Sequence, residues 1–160
     1  MDAVAELGVA VVSLPLCNQF LQDRSYREDG APRTPRWRGI TLLHELRSRG
    51  IAVALASDNV RDAFHAYGDH DPLEVFTAGV KIGHLDRPFG DWPAAVTRTP
   101  ASIMGLDGSG TIAPGTRADL VIFSSRDFGE LLSRSQSDRI VVRNGRRIAT
   151  GLPDRSALLD

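Results

Sequence analysis

The sequence has one cysteine, few aromatic residues and almost no excess of charge of either sign. Each scarcity removes a class of protein. Cys17 alone cannot close an internal disulfide, and the first residues, MDAVAELGVAVVSLPLC, have neither the basic start nor the A-x-A site of a secretory signal. A cytoplasmic protein is the expectation. Nineteen basic residues against twenty acidic ones leave a net charge of -1, which supplies no electrostatic footprint for nucleic acid or an anionic membrane surface. No apolar run approaches the roughly 18 residues of a membrane-spanning helix. Internal repeats, low-complexity tracts and heptads are also missing. What is there is ordinary globular composition, 42% hydrophobic and 24% charged over 160 residues, enough for one core or one and a half.

Residues 7 to 16, LGVAVVSLPL, read as a buried strand, because a short valine-rich run ending at proline suits a central parallel strand. From 23 to 38, DRSYREDGAPRTPRWR, prolines, glycine and alternating charges destroy any periodicity, so a long surface loop is expected. Residues 40 to 49, ITLLHELRSR, put Leu42, Leu43 and Leu46 on one helical face, with Gly50 placed to end the helix. Residues 51 to 56, IAVALA, form a second apolar strand. The order strand, loop, helix, strand makes one βαβ crossover and a parallel pair. Helices are expected over 72–82 and 92–104, the second disturbed by Pro100. The character then changes: Ala118 to Phe123 reads as a strand, and Asn144-Gly145 between two extended runs signals a type I′ hairpin.

The stretch ALASDNVRD, residues 54 to 62, holds the most informative position. Asp58 directly follows a buried parallel strand, where the carboxyl edge of an α/β sheet collects its ligands. An aspartate there can equally start a turn or cap a helix, and spacing alone leaves both readings open. Of the four histidines, His44 falls within a helix, His65 and His70 lie in the loop after Asp58, and no pair, His84 included, has H-x-H or H-E-x-x-H spacing. A loop histidine is expected to face solvent. Ser57 lacks the G-x-S-x-G elbow. GLDGSGTIAPG precedes a strand and is no phosphate loop. Cys17 has no histidine partner in sequence and reads as a buried, inert thiol.

PLCNQFLQDR, then TPRWRGITLLHELRSRGIAVALASDNVRDAFHAYGDHDPLEVF, then GTIAPGTRADLVIF and VVRNGRRI resemble the C-terminal portion of a cytosine deaminase-like enzyme of the amidohydrolase superfamily. The resemblance runs over roughly 8–149. It implies an α/β fold: the C-terminal fragment of a (β/α)8 metal-dependent hydrolase barrel, followed by strands of a small β-sandwich. Residues 1–107 would hold the last two barrel strands and their helices, 108–150 the sandwich strands, and 151–160 a tail. Asp58 would ligate the divalent metal, zinc or iron, and take a proton from the water that attacks C4 of a pyrimidine as ammonia departs. Asn59 and Phe64 would contact substrate, Phe64 by closing over the ring. Asn18 and Gln22 match the N-x-x-L-Q pattern and would support the pocket.

The family pattern also has an H-x-H pair after the first barrel strand, further histidines after the fifth and sixth, and a proton-moving glutamate, none of which matches this chain. A complete barrel needs about 250 residues. The resemblance therefore implies an incomplete chain, inactive alone, that acts on a nucleobase-like small molecule when a complementing N-terminal portion is present, or that forms a homo-oligomer. Two alternatives stay open: another ring C–N hydrolase, for a triazine, pterin or cyclic amide, and a noncatalytic remnant.

Overall fold

The computed structural model describes residues 1–25, 27–106, 108–149 and 156. Nearly all of the expected tail, 151–160, lies outside the described residues. The chain divides into two compact units, Met1–Gly110 and Thr111–Asp160.

In the first unit, β1 (Val11–Ser13) pairs in parallel with β2 (Val53–Leu55), with Val11 opposite Val53 and Ser13 opposite Leu55. Helix α1 (Asp2–Glu6) precedes the pair, and the crossover carries α2 (Pro15–Leu21) and α3 (Leu43–Ser48). The parallel crossover matches the expectation, but β1 is much shorter than 7–16. Two backbone features confine it. Gly8, at φ +63°, turns the chain out of α1, and Pro15 opens a helix. A proline lacks the N–H that a helix's first turn leaves unused, so it starts α2 as readily as it ends a strand.

Helix α3 is also shorter than expected, and its buried face is Leu43 and Leu46; Leu42, at its N-cap, is 54% exposed. Gly50 adopts φ +74°, the left-handed turn that glycine takes without steric cost, and delivers Ile51 into the core. All three residues of β2 are buried, as a strand covered on both faces requires.

Helix α4 (Pro72–Gly83) is capped by Asp71, whose side chain accepts the Leu73 amide at 3.0 Å, and it lies on β2 through Gly79. A Cβ at Gly79 would come within 2.8 Å of Leu55 Cδ1, so a side chain there would require the Leu55 side chain to move aside. The single helix expected over 92–104 is two pieces, a 3-10 helix (Trp92–Val96) and α5 (Arg98–Ile103). The break falls at Thr97 (φ −129°, ψ −96°) and not at Pro100. Pro100 is the third residue of α5, within the first turn, where its missing N–H breaks no helical bond.

Among the described residues, the second unit is a three-stranded antiparallel sheet with one helix. Strands β3 (Leu120–Ile122), β4 (Ile140–Arg143) and β5 (Arg146–Arg147) lie in that order, and α6 (Phe128–Ser133) joins the first two. Asn144 and Gly145 both take positive φ, 49° and 74°, as the expected type I′ turn demands. Gln136 is fully buried and satisfied: its amide nitrogen donates to the carbonyls of Glu130 and Leu131, and its oxygen accepts the Ser125 hydroxyl. Helix α6 was not legible in the sequence.

Candidate functional site

The polar rim of the first unit forms at the carboxyl ends of β1 and β2. Asp58 follows β2 by three residues and is exposed, with its backbone at φ +61°, a region that aspartate and asparagine tolerate better than other side chains. Among the described residues its carboxylate accepts no main-chain amide. That work is done by Asp62, whose Oδ1 accepts the backbone N–H groups of Phe64 and His65, both at 2.9 Å. The Asn59 side chain donates to the other Asp62 oxygen. These bonds, the Asn59 amide foremost, hold the Asp62 carboxyl below the usual carboxylate range.

His65, expected to face solvent, is 6% exposed. Its Nδ1–H donates to the Asn59 carbonyl at 2.9 Å, and its ring stands edge-on to Phe20 of α2, centroids 5.0 Å apart. Aromatic packing explains the burial, since Phe20 also meets Tyr67 edge-on at 5.6 Å. Arg61 closes the loop from the other side, donating to the Gly68 carbonyl and pairing with Asp69. Phe64 and Tyr67, each 65% exposed, stand on the outer surface of this braced loop.

Cys17 is fully buried in α2, and its thiol lies 3.8 Å from Asn59 Oδ1. Burial pushes the thiol pKa up, and the neighbouring Asp58 carboxylate adds to the rise. Asn18 is half-buried in α2; only its main chain is hydrogen-bonded among the described residues, accepting from the Gln22 amide and donating to Leu14. Gln22 stands at the C-cap of α2, and its Oε1 accepts the Gly39 amide at 2.6 Å, while Gln19 donates to the Gly39 carbonyl at 2.8 Å. The long loop between them winds around Asp23, which accepts from the Arg33 guanidinium and from the Arg36 and Trp37 amides. Those donors, Arg33 first, hold its carboxyl far below the usual carboxylate range.

The structure thus brings Asp58, Asn59 and Phe64 onto one loop, with Cys17 linking α2 to it. Gln22 serves the neighbouring loop. Sequence reasoning missed Asp62 and His65 as loop braces and Gln19 as a partner of Gln22. An available signal was the spacing of Asp62 two and three residues ahead of Phe64 and His65, the pattern by which an aspartate caps a tight turn. Among the described residues, no three His, Cys, Asp or Glu side chains converge where a metal ion could be held.

A parallel pair with a braced polar loop at its carboxyl ends, followed by a separate antiparallel unit, defines a mixed α/β protein, and in parallel sheets those ends are where ligands commonly bind. Residues 1–149 match the amidohydrolase family, and the chain belongs to that family. Over 154 residues it is 54% identical to a pterin deaminase of Rhizobium rhizogenes, a match covering 96% of this chain and 34% of the relative. It therefore spans about a third of that relative's length. Among solved structures it is similar to 5-methylcytosine deaminase from Klebsiella pneumoniae liganded with 5-fluorocytosine, at 26% identity and a TM-score of 0.70, covering 96% of this chain and 37% of that one. N-isopropylammelide isopropylaminohydrolase from Burkholderia multivorans follows at 25% identity and a TM-score of 0.63, covering 91% and 33%. No helix among the described residues is long and apolar enough to cross a membrane.

Proposed function

We propose that this chain supplies the last two strands and the trailing β unit of a (β/α)8 metal-dependent deaminase, which replaces the exocyclic amine of a pterin-type ring with oxygen from water and releases ammonia. The observation that carries this reading is the 54% identity to a pterin deaminase over nearly the whole chain. A second reading, a cytosine-type ring, is favoured by the likeness to 5-methylcytosine deaminase.

Asp58 suits a divalent metal such as zinc or iron, because its exposed carboxylate is a hard oxygen donor not taken up by main-chain amides among the described residues. A divalent metal supplies Lewis acidity there and lowers the pKa of water to about 7. The chain's own residues do the rest. One Asp58 oxygen takes the proton released as water attacks the ring carbon, and returns it toward the departing nitrogen. Asn59 keeps one N–H and one oxygen lone pair beyond its internal bonds, and these meet the polar edge of the ring. Phe64 covers the ring face. Asn18 supports the pocket from α2, and Gln22 does so by fixing Gly39.

Asp58 is a single ligand, so the remaining donors come from other parts of a barrel, either continuous with this chain or supplied by a complementing N-terminal portion. The apolar side chains of Leu7, Val9 and Val12, 77%, 49% and 47% exposed, lie beside β1 where such strands would cover them. Self-association through the same surface is the competing outcome. The test combines the chain with the N-terminal two thirds of a related deaminase and Zn²⁺ or Fe²⁺, and follows ammonia release from pterin and cytosine. Release that requires both parts, and is faster with pterin, is expected. Turnover by the 160-residue chain alone, or none from a folded complex, overturns the reading.

A further inference from the structure

The carboxylate of Asp62 stands next to the proposed site without entering its chemistry. It takes N–H groups from two kinds of donor, the backbone amides of Phe64 and His65 on one oxygen and the side-chain amide of Asn59 on the other. An ionised carboxylate only accepts, so it is the nitrogen end of the Asn59 amide that must face Asp62. On the opposite side Asn59 Oδ1 lies 3.8 Å from the Cys17 thiol, whose hydrogen has the Asp58 carboxylate as a second acceptor, and His65 holds the Asn59 carbonyl. The two ends of an asparagine amide have nearly the same shape, and only the surrounding donors and acceptors distinguish them. Here the Asp62 carboxylate, which can only accept, selects the sense that turns the nitrogen toward it and the oxygen toward Cys17.

We propose that Asp62 is a positioning residue: it fixes which end of the Asn59 amide faces Cys17, and thereby whether the ring edge meets a given point of the rim as a donor or as an acceptor. This rests on the assignment of Asn59 to the substrate rim, but its physical content is the locked sense of one amide. That lock exists before any substrate arrives. It makes Asn59 a preorganised contact, because its orientation is set by the protein and does not have to be acquired on binding.

The variant Asp62→Asn separates this role from turn-making. Its side-chain oxygen still accepts from Phe64 and His65, while its amide nitrogen now opposes the Asn59 nitrogen, donor against donor. Side-chain and backbone 15N–1H spectra and solvent exchange of the full 160-residue chain read the outcome. In the unaltered protein, the Asn59 side-chain amide exchanges about tenfold or more slowly than a free asparagine amide, as one net hydrogen bond of ordinary strength provides. In Asp62→Asn that protection is lost, while the Phe64 and His65 amides keep theirs within a factor of about three. An Asn59 signal unchanged by Asp62→Asn overturns the proposal, as does joint loss of protection at Asn59, Phe64 and His65, which marks a purely structural role. An Asn59 amide that exchanges freely in the unaltered chain also overturns it, with no variant needed. None of these readings involves turnover, so an inactive assembly would refute the deaminase reading and leave this one standing, and the reverse.

Discussion

The Cys17 thiol and the Asn59 side chain, 42 residues apart in sequence, meet at 3.8 Å and tie the helix after β1 to the loop after β2. This contact gives the only cysteine a structural task that does not use its nucleophilicity. Because Cys17 is fully buried and its pKa is raised by that burial, the native protein should resist thiol reagents at neutral pH and react only as it unfolds. Labelling rates measured across a denaturant series check this; rapid labelling without denaturant would contradict it. Cys17→Ala should cost about 1–2 kcal/mol in denaturant unfolding, through the small void and the lost bond.

Asp23 makes the loop from 23 to 38 sensitive to acid. Its folded pKa lies below the unfolded value, so between those two values the unfolded chain binds more protons. The stabilisation is full above the unfolded pKa of about 3.9, declines progressively below it and is gone only once pH falls through the much lower folded pKa. Trp37, whose amide Asp23 holds, is 79% exposed and reports on the loop. Its fluorescence should shift only on strong acidification, well below about pH 4, as Asp23 is protonated, and Asp23→Asn should remove that transition.

Gly110 allows the first unit to close against the start of α5. A Cβ there would sit 2.6 Å from the backbone of Thr97 and Arg98, and the residue is at φ +74°. Gly110→Ala should destabilise by roughly 2–4 kcal/mol, the sum of a left-handed backbone cost and overpacking against atoms that cannot rotate away. Gly105, at φ +67° with nothing within 4 Å of a Cβ, is the control. Gly105→Ala should cost only about 1–2 kcal/mol. Equal losses in thermal unfolding would show that the close approach is unimportant.

If the proposed metal-loaded assembly is reconstituted, Asp58→Asn should lower its kcat roughly 10²- to 10⁴-fold, the range for losing a general acid–base group. Asparagine tolerates the same positive φ, and Asp58 is exposed, so the stability of the chain should change by less than about 0.5 kcal/mol. Turnover kinetics and thermal unfolding of the same preparation check the two halves together.

Features set by short-range chemistry were legible in the sequence. Asn144-Gly145 announced a turn because few other residue pairs take two positive φ values, and the apolar run Ile51 to Ala56 announced the buried strand that its middle, Val53–Leu55, forms, although Ala52 is exposed. Pro15 misled because proline is compatible with both a strand end and a helix start, and only the packing of Cys17 into the core decides between them. His65 misled for a similar reason: its burial depends on Phe20, which arrives from another element. The position of Asp58 after a strand could be read directly. That the turn beside it is made by Asp62 depends on a loop conformation that spacing suggests but does not determine.

Gln19 and Gln22 hold the two peptide groups of Gly39, so the excursion from α2 returns to a fixed anchorage near where it departs. Within that anchorage, Asp23 gathers Arg33 and the Arg36 and Trp37 amides, so the segment carries its own internal tie and touches α2 again where Arg24 stacks on Phe20. The result is a loop fixed at its two ends and at one interior carboxylate, rather than by a hydrophobic core of its own. A loop built this way is open to changes of length between Ser25 and Arg33, where they leave Asp23, its three donors and the Gly39 anchorage in place.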